Sequence, residues 1–560
     1  MTIRLCVRVF LVALFLSLAN FIPARSDELW TTTFDRAPDW YKLDNAGNLL
    51  LSRRGVLMLY DGQTGDILWQ RDDIAAASPG DITDVGGSGL IFGEIIAPVP
   101  GKKKKKRRKK RRKSTPLVLT SIDRTTGENL WQLDAIPGSI IDIIPLSAEH
   151  KLLVFERYKP KDKKQRGIYV SARDMATGAA LWRTRLYELK GPLSRYKKKK
   201  PRGLSAWPGI TVRDGIAYLP YQGVHALRLE DGALLWGHRL HKNNPEYIHS
   251  IAPVLVTDDR VYATGRSAVF AYNRQSGTQI WKGKVRGAKV IPELELTSSR
   301  LLVRFGGIFS NQRKITGIKS FGVAGLDLEN GKSLWNYRDA KGGITNLIVQ
   351  QDKNRVIFAD ARAITALKIS SGKMLFEAPL AFYRQYGIFK AKKSGFSLGG
   401  SFAKLGPAGK WAGKGGSIGG GGCSLNIGDL PIEIREKGEE IVLRGQHHIM
   451  TFDPRVMLTQ WSVIFSATNP GDRTLLGKGR LPPYSARGRS YFLTELNIGS
   501  GRHSRVVLSL LGINRKDGKV MARQDIYGKK PRFLIDHAND RLIRIIKGRK
   551  KRLTFQALSL

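Results

Sequence analysis

The sequence has little cysteine: two residues, Cys6 and Cys423, in a chain of 560. We interpret residues 1–26 as a cleaved secretory signal peptide, because basic residues precede a short apolar run that ends at a small-x-small cleavage site. An uncleaved anchor is the alternative. Cys6 lies ahead of the apolar run, so it cannot be the cysteine of a lipoprotein lipobox. Cleavage leaves Cys423 alone, which excludes an intramolecular disulfide and leaves an inert thiol or a bridge to another chain.

Long apolar runs and glycosylation sequons are also missing. After residue 26 no stretch reaches 18 uninterrupted apolar residues, so we expect no membrane-spanning helix in the mature chain. No N-x-S/T sequon occurs, which favours a bacterial envelope over a eukaryotic secretory pathway. About 530 residues after cleavage are enough to build a core without disulfides. We therefore expect an exported protein that is periplasmic or extracellular.

Acidic residues are scarce: 47 Asp and Glu stand against 94 Lys and Arg, a net charge of +47. The two largest basic clusters supply about a third of this excess, so the folded body is basic as well. This balance predicts an anionic partner, such as lipid headgroups, lipopolysaccharide phosphates, acidic cell-wall polymers or an acidic protein. The alternative is that the charge only keeps the protein soluble. Nucleic acid is not expected, because no helix-turn-helix, zinc-finger or aromatic RNA-binding signature is present.

The candidate anion-binding residues belong to a run of twelve consecutive basic residues and to a shorter cluster further along the chain. A block like the run of twelve repels itself and interrupts a blade, so we place that run in a loop between strands. The candidate residues are Lys102, Lys103, Lys104, Lys105, Lys106, Arg107, Arg108, Lys109, Lys110, Arg111, Arg112, Lys113, Lys197, Lys198, Lys199 and Lys200.

What is present is an eleven-residue pattern that recurs every 40 to 60 residues or so, the mark of an array or a propeller. Its cleanest copy runs from Leu59 to Trp69, with a small or apolar first residue, Asp third, Gly seventh and Trp eleventh. Strand-like residues flank the centre, so each copy predicts a β-hairpin. The Asp accepts hydrogen bonds from turn amides, and the Gly takes a positive φ. The Trp has the size to bury a ring against a neighbouring unit.

Seven copies are clear and two are weak. The eleventh positions are Trp69, Trp131, Trp182, Trp236, Trp281, Trp335, Phe376 and Trp461. The seventh positions are Gly65, Gly127, Gly178, Gly232, Gly277, Gly331 and Gly372. The third positions with Asp are Asp61, Asp123, Asp174 and Asp327. The weak copies are Thr451, Asp453 and Trp461 without the Gly, and Gly512, Asn514 and Gly518 with Ala522 in place of Trp.

The copy Ala172, Asp174, Gly178 and Trp182 matches all four positions of A-x-D-x-x-x-G-x-x-x-W. This pattern resembles the tryptophan-docking motif of the quinoprotein-like, or PQQ-like, β-propellers. The resemblance spans most of the chain after the signal peptide and implies an all-β fold of four-stranded antiparallel blades, most often eight. From nine candidate motifs we predict eight blades, with seven or nine as alternatives.

The blades are expected in residues 27–392 and 423–560, with ring closure in the second part. We interpret the Gly-rich segment 393–422 as a flexible insertion because of its composition. It is not a phosphate loop, since it lacks the preceding strand and the residue spacing of that motif. We expect Trp30–Phe34 to be a strand, either the first of blade one or the partner that closes the ring against the C-terminal blade.

PQQ-like propellers include both enzymes and scaffolds, so the fold does not settle the function. We predict a non-enzymatic envelope scaffold without cofactor or metal, similar in build to the propellers of the bacterial outer-membrane β-barrel assembly machine. It departs from them in lacking a lipobox and in carrying basic and Gly-rich insertions. His447 and His448 are adjacent in a strand and point to opposite faces, so they do not suggest a metal site.

Two alternatives remain open. A quinone- and calcium-dependent dehydrogenase is implied by the same resemblance, with an Asp base and usually an adjacent Cys-Cys disulfide. The chain has neither an adjacent cysteine pair nor a C-x-x-C-H haem motif. The other alternative is a luminal propeller subunit of a eukaryotic secretory-pathway membrane complex, although no C-terminal membrane anchor follows the repeats.

Overall fold

The computed structural model describes part of the chain. Its residues are 27–74, 82–85, 89–95, 117–133, 139–158, 162, 165–188, 210–220, 223–239, 252–265, 267–311, 314–341, 343–360, 362–380, 431–437, 440–445, 448–455, 458–464, 489–498, 505–514, 519–526, 532–536, 539–548 and 552–559. The predicted signal peptide, both candidate anion-binding clusters, the Gly-rich segment and Cys423 lie outside these residues.

The described residues form 39 strands and one short 3₁₀ turn, Ser147–Glu149, and the predicted all-β propeller class is confirmed. The strands of the first half are β1 (Glu28–Phe34), β2 (Trp40–Leu43), β3 (Leu49–Arg53), β4 (Val56–Tyr60), β5 (Ile67–Arg71), β6 (Ile82–Asp84), β7 (Gly89–Ile95), β8 (Leu117–Asp123), β9 (Asn129–Gln132), β10 (Ser139–Leu146), β11 (Lys151–Tyr158), β12 (Gly167–Asp174), β13 (Ala180–Glu188), β14 (Thr211–Arg213), β15 (Ile216–Leu219), β16 (Gly223–Arg228), β17 (Leu234–Arg239), β18 (Leu255–Val256), β19 (Arg260–Thr264), β20 (Ala268–Asn273) and β21 (Gln279–Lys284).

The remaining strands continue the same pattern. They are β22 (Glu293–Leu296), β23 (Leu301–Asn311), β24 (Lys314–Leu326), β25 (Ser333–Tyr337), β26 (Ile348–Gln350), β27 (Arg355–Ala359), β28 (Ala363–Lys368), β29 (Met374–Pro379), β30 (Pro431–Lys437), β31 (Glu440–Gly445), β32 (His448–Asp453), β33 (Leu458–Ile464), β34 (Arg489–Ile498), β35 (Arg505–Asn514), β36 (Val520–Ile526), β37 (Arg532–Asp536), β38 (Arg541–Lys547) and β39 (Leu553–Ser559).

These strands form ten antiparallel sheets in the described part of the chain. Blades 1 to 8 take four consecutive strands each, from β2–β5 to β30–β33, and blade 9 takes β34–β36. Blade 10 has the order β37-β38-β39-β1, so it joins the two ends of the chain. Pairs such as Trp30 with Ala557 and Phe34 with Leu553 set the register of this closing sheet.

The expected count of eight blades is not confirmed. Each of the nine motif copies, including both weak ones, leads into the last strand of one of blades 1 to 9. The tenth sheet carries no motif of its own, because its hairpin is interrupted by the chain ends. The two weak copies therefore each mark a sheet of the described structure. The closing sheet is one more, in addition to the nine sheets that carry a motif copy.

The core lies in the layers between blades. The second and third strands of a blade are buried on both faces, as in β27 and β28, because neighbouring blades cover both sides. The fourth strand alternates instead: in β21, Trp281 and Gly283 are buried while the residues around them are exposed. Between blades 10 and 1, Tyr41 of β2 meets Phe555 of β39 edge to face with ring centroids 5.1 Å apart. In the described residues we find no helix with the length and apolarity needed to cross a membrane.

Candidate functional site

The recurring motif builds a contact between adjacent blades. The ring of Trp182, in the last strand of blade 3, lies on the hairpin turn of blade 4. Its Nε1 donates a hydrogen bond of 2.9 Å to the carbonyl of Leu229. Gly232 in that turn has a φ of +73°, and a Cβ there would lie 2.4 Å from Cδ2 of Trp182. Glycine is thus required twice, by its backbone conformation and by the approach of the ring.

The same contact recurs at seven interfaces among the described residues. The acceptor is always the carbonyl of the residue that follows the third motif position of the next blade. The pairs are Trp30 with Gly62 (3.0 Å), Trp69 with Arg124 (2.8 Å), Trp131 with Met175 (3.0 Å), Trp182 with Leu229 (2.9 Å), Trp236 with Arg274 (3.0 Å), Trp281 with Leu328 (2.8 Å) and Trp335 with Ile369 (2.9 Å).

Each motif glycine receives the ring of the preceding blade, not the ring of its own copy. Gly65 lies under Trp30, Gly127 under Trp69, Gly178 under Trp131, Gly277 under Trp236, Gly331 under Trp281 and Gly372 under Trp335. Within one hairpin, the first motif residue is instead the cross-strand partner of the eleventh, as Ala172 is of Trp182, with a register shift beside it. Small first residues therefore leave room beside the indole.

Trp30 was not among the sequence candidates, although it fills the docking position of the closing blade. Its ring is 6% exposed and lies on Gly65 of blade 1. In the other blades the motif turn precedes the docking Trp in the sequence and identifies it. No such turn precedes Trp30, because its strand pairs with β39 from the other end of the chain. The dipeptide Leu29-Trp30 repeats the Leu-Trp ending of most copies and was the one available clue.

The contact changes where the motif weakens. The side chain of Phe376 has no N–H to donate, and the centroid of its ring lies 6.1 Å from that of Phe452 in blade 8. Blade 8 also lacks the motif glycine. Trp461 lies in β33 opposite Thr451, and Ala522 lies in β36 opposite Gly512, each beside the usual register shift. The side chain of Trp461 lies outside the described part of the structure.

The motif carboxylates hold the turns. Oδ1 of Asp174 accepts hydrogen bonds from the backbone N–H groups of Ala176 (3.0 Å) and Thr177 (2.8 Å) and from the Thr177 hydroxyl (2.9 Å). These bonds, led by the one from the Thr177 backbone, lower the pKa of Asp174. Equivalent bonds bind the turns at Asp61, Asp123 and Asp327.

Arginines join neighbouring turns on the same side of the propeller. Arg124 contacts Asp84 at 2.5 Å and Asp44 of the preceding blade at 3.4 Å. Burial raises the pKa of Asp44. Arg274 donates to Asp214 of the preceding blade, and this hydrogen bond lowers the pKa of Asp214. These ion pairs connect blades in addition to the indole contacts.

One pair of carboxylates lies on a first strand, away from the turns. Glu293 of β22 is bound by Arg304 and by the backbone N–H of Leu347 in blade 7, at 3.0 Å. Glu295, two residues along the same strand, lies where burial, then the charge of Glu293, raises its pKa to about 7. This makes Glu295 a group that titrates near neutral pH. The described residues contain no group of three or more His, Cys, Asp or Glu side chains placed to hold a metal ion.

The two ends of each sheet form two different surfaces. The motif turns, between third and fourth strands, lie side by side because each ring docks on the next turn; we refer to this end as the docking face. The turns between second and third strands, and the links to the next blade, leave from the opposite end, the connection face. The candidate run 102–113 falls between β7 and β8, and 197–200 falls between β13 and β14. Both pairs of flanking strand ends lie on the connection face.

Comparison with known proteins supports the repeat assignment. Residues 221–387 match the family profile PQQ_2, described as outer membrane protein assembly factor BamB. The predicted PQQ-like repeat is therefore confirmed for this segment. A search among curated protein sequences gave no significant match.

Solved structures with similar folds include BamB from Moraxella catarrhalis, which is 13% identical, with 75% of this chain and 97% of that chain covered at a TM-score of 0.33. Quinohemoprotein alcohol dehydrogenase from Comamonas testosteroni is 12% identical, covering 64% of this chain and 70% of that chain at a TM-score of 0.32. The computationally designed protein Ika8 is 12% identical, covering 74% and 96% at a TM-score of 0.30. These likenesses are too distant to bear on function.

Proposed function

We propose that this protein is an exported, non-enzymatic scaffold of the cell envelope that holds protein partners and offers a basic surface to anionic ones. The observation that carries the proposal is how the motif residues are used. The indole N–H groups, the glycines and the carboxylates of the repeats are engaged in blade contacts and turn hydrogen bonds. They hold the propeller together, and the segments that differ between blades are left to select partners.

The family profile points the same way for partners. The proteins that it describes are outer membrane assembly factors, and its match runs from the third strand of blade 4 to the end of blade 7. A rigid disc built from repeated interfaces suits a scaffold, because its loops can vary without loss of the core.

Chemical cross-linking followed by capture from the native envelope fraction tests the scaffold. We expect a specific protein partner to be recovered with the full chain. Calorimetric titration with pyrroloquinoline quinone and Ca²⁺ is the counter-test. Saturable quinone binding, or turnover of an alcohol substrate, would instead establish the dehydrogenase alternative.

The basic run tests the anionic part of the proposal. We expect deletion of residues 102–113 to leave thermal unfolding unchanged but to weaken binding to anionic vesicles, in a salt-dependent way. Deletion of residues 411–422, a Gly-rich stretch of equal length, is the matched control and should leave vesicle binding intact. Equal vesicle binding of both deletions, or binding that salt does not alter, would contradict a role for the run.

A further inference from the structure

A cluster of exposed basic residues lies on the connection side of blades 5 and 6. It combines the end of β21, the link that follows it, and the residues after β25. We refer to it as the basic corner, and its members are Lys282, Lys284, Arg286, Lys289, Arg338 and Lys341.

Contacts between the two blades make the basic corner one surface. The side-chain amide of Asn336 in blade 6 donates a 3.0 Å hydrogen bond to the carbonyl of Arg286 in blade 5. The guanidinium of Arg338 lies against Gly287, where a Cβ would come within 2.9 Å of its Cζ. Two carboxylates are close by: that of the exposed Asp339, and that of the buried Asp360, which accepts a 2.8 Å hydrogen bond from the backbone N–H of Lys341. Six basic side chains against these two leave the corner with a positive balance.

The docking face has a different balance. Its turns carry exposed carboxylates beside scattered lysines. The exposed acidic residues include Asp66, Glu128, Glu230, Asp231, Asp258, Asp259, Glu329 and Asp352. The exposed lysines of blades 6 and 7 on this face are Lys332, Lys353, Lys368 and Lys373. The docking face is thus mixed, with many carboxylates. On the connection face the links after β1 and β5 carry the exposed Asp35, Asp72 and Asp73, and the positive charge is concentrated at the basic corner.

We propose, building on the envelope scaffold proposed above, that the connection face lies on an anionic lipid surface, with the basic corner on the lipid phosphates. The docking face is then directed away from the lipid, toward protein partners. Each basic residue held near an anionic membrane contributes about 1 kcal/mol of attraction. The six side chains of the corner together supply enough attraction to orient the disc.

A planar surface fits the observations better than an acidic peptide. The corner spreads over two blades, and the strand ends that flank the basic runs of blades 2 and 3 lie on the same face. A short peptide covers one blade edge, whereas a lipid surface meets the whole face at once.

The test compares two variants of the full chain in co-sedimentation with vesicles of phosphatidylglycerol and phosphatidylcholine. The corner variant is K282Q/K284Q/R286Q/K289Q, and the control K332Q/K353Q/K368Q/K373Q removes four charges from the docking face. Because four near-surface charges are lost, we expect the corner variant to bind about tenfold or more weakly, and the control to change less than about twofold. Vesicles of phosphatidylcholine alone should bind neither protein.

The outcomes separate this proposal from the others. Equal losses in both variants, or no loss in either, would overturn it. Poly-glutamate serves as a second probe: if only poly-glutamate binding depends on the corner while vesicle binding does not, the partner is an acidic polypeptide and the lipid proposal fails. Thermal unfolding of both variants checks that they fold. Capture of a protein partner by cross-linking does not depend on this result. The scaffold proposal and the lipid proposal can therefore be contradicted independently of each other.

Discussion

The docking face and the connection face of this propeller follow opposite rules. On the docking face one contact is repeated at seven interfaces, with indole hydrogen bonds between 2.8 and 3.0 Å. On the connection face the links differ from blade to blade in length and charge, and the strand ends that flank the largest basic segments lie there. Repetition therefore serves stability, and the unrepeated segments are free to serve recognition.

The largest expected effect is removal of a docking ring. Trp182→Ala should lower the free energy of unfolding by about 3–5 kcal/mol, because it empties a buried site and removes the hydrogen bond to Leu229. Leu181→Ala is the matched control, since Leu181 precedes the ring and is 46% exposed. Denaturant unfolding measures both. A loss below about 1 kcal/mol for Trp182→Ala would show that the repeated contact does not hold the blades.

The next effect isolates the glycine that receives the ring. Gly232→Ala should cost about 2–4 kcal/mol, the sum of a left-handed backbone and a clash with the indole of Trp182. Gly215→Ala is the control: its φ of +70° matches the +73° of Gly232, but nothing lies within 4 Å of its added Cβ. Its cost should be limited to backbone strain, about 1–2 kcal/mol. Equal losses would mean that the ring contact adds nothing.

The smallest effect concerns the first strand of blade 6, which belongs to neither face. Glu295 has a pKa raised to about 7, mainly by burial, so its ionised form is disfavoured in the folded protein. Stability linked to this group is complete below the ordinary pKa of a glutamate and is lost as the pH rises through about 7. Glu295→Gln should therefore stabilise the protein at pH 8, by about 1–2 kcal/mol after allowance for solvent screening, and have little effect at pH 5.

Glu293→Gln is the contrasting variant on the same strand. It weakens the bonds that Glu293 accepts from Arg304 and from the backbone of Leu347, so it should destabilise the protein at pH 8. Thermal unfolding at the two pH values measures both variants. If Glu295→Gln stabilised the protein equally at pH 5 and pH 8, protonation of Glu295 would not be the cause.

Much of the fold was readable from the repeat alone. The spacing of Asp, Gly and Trp identified a hairpin in each of nine blades, including the weak copies at Thr451–Trp461 and Gly512–Ala522. It did not give the number of blades, because the closing sheet is assembled from the chain ends and has no complete motif. For the same reason Trp30 was missed as a docking ring.

The sequence predicts the candidate basic surface only in part. Composition alone indicated that the body is basic, and the runs were visible at once. Lys282 and Arg338 are 56 residues apart in sequence, and nothing local relates them. The contact between blades 5 and 6 places them on one corner. Such a surface depends on packing between blades, which a pattern within one hairpin does not contain.

The sequence by itself determined the hairpins, because a turn is held by hydrogen bonds between residues a few positions apart, such as those that Thr177 donates to Asp174. It also determined the excess of positive charge. Only the tertiary structure decided which glycine meets which indole, how many sheets close the ring, and which face collects the charge. These depend on contacts between units about 40 residues or more apart, whose geometry arises when neighbouring blades pack against each other.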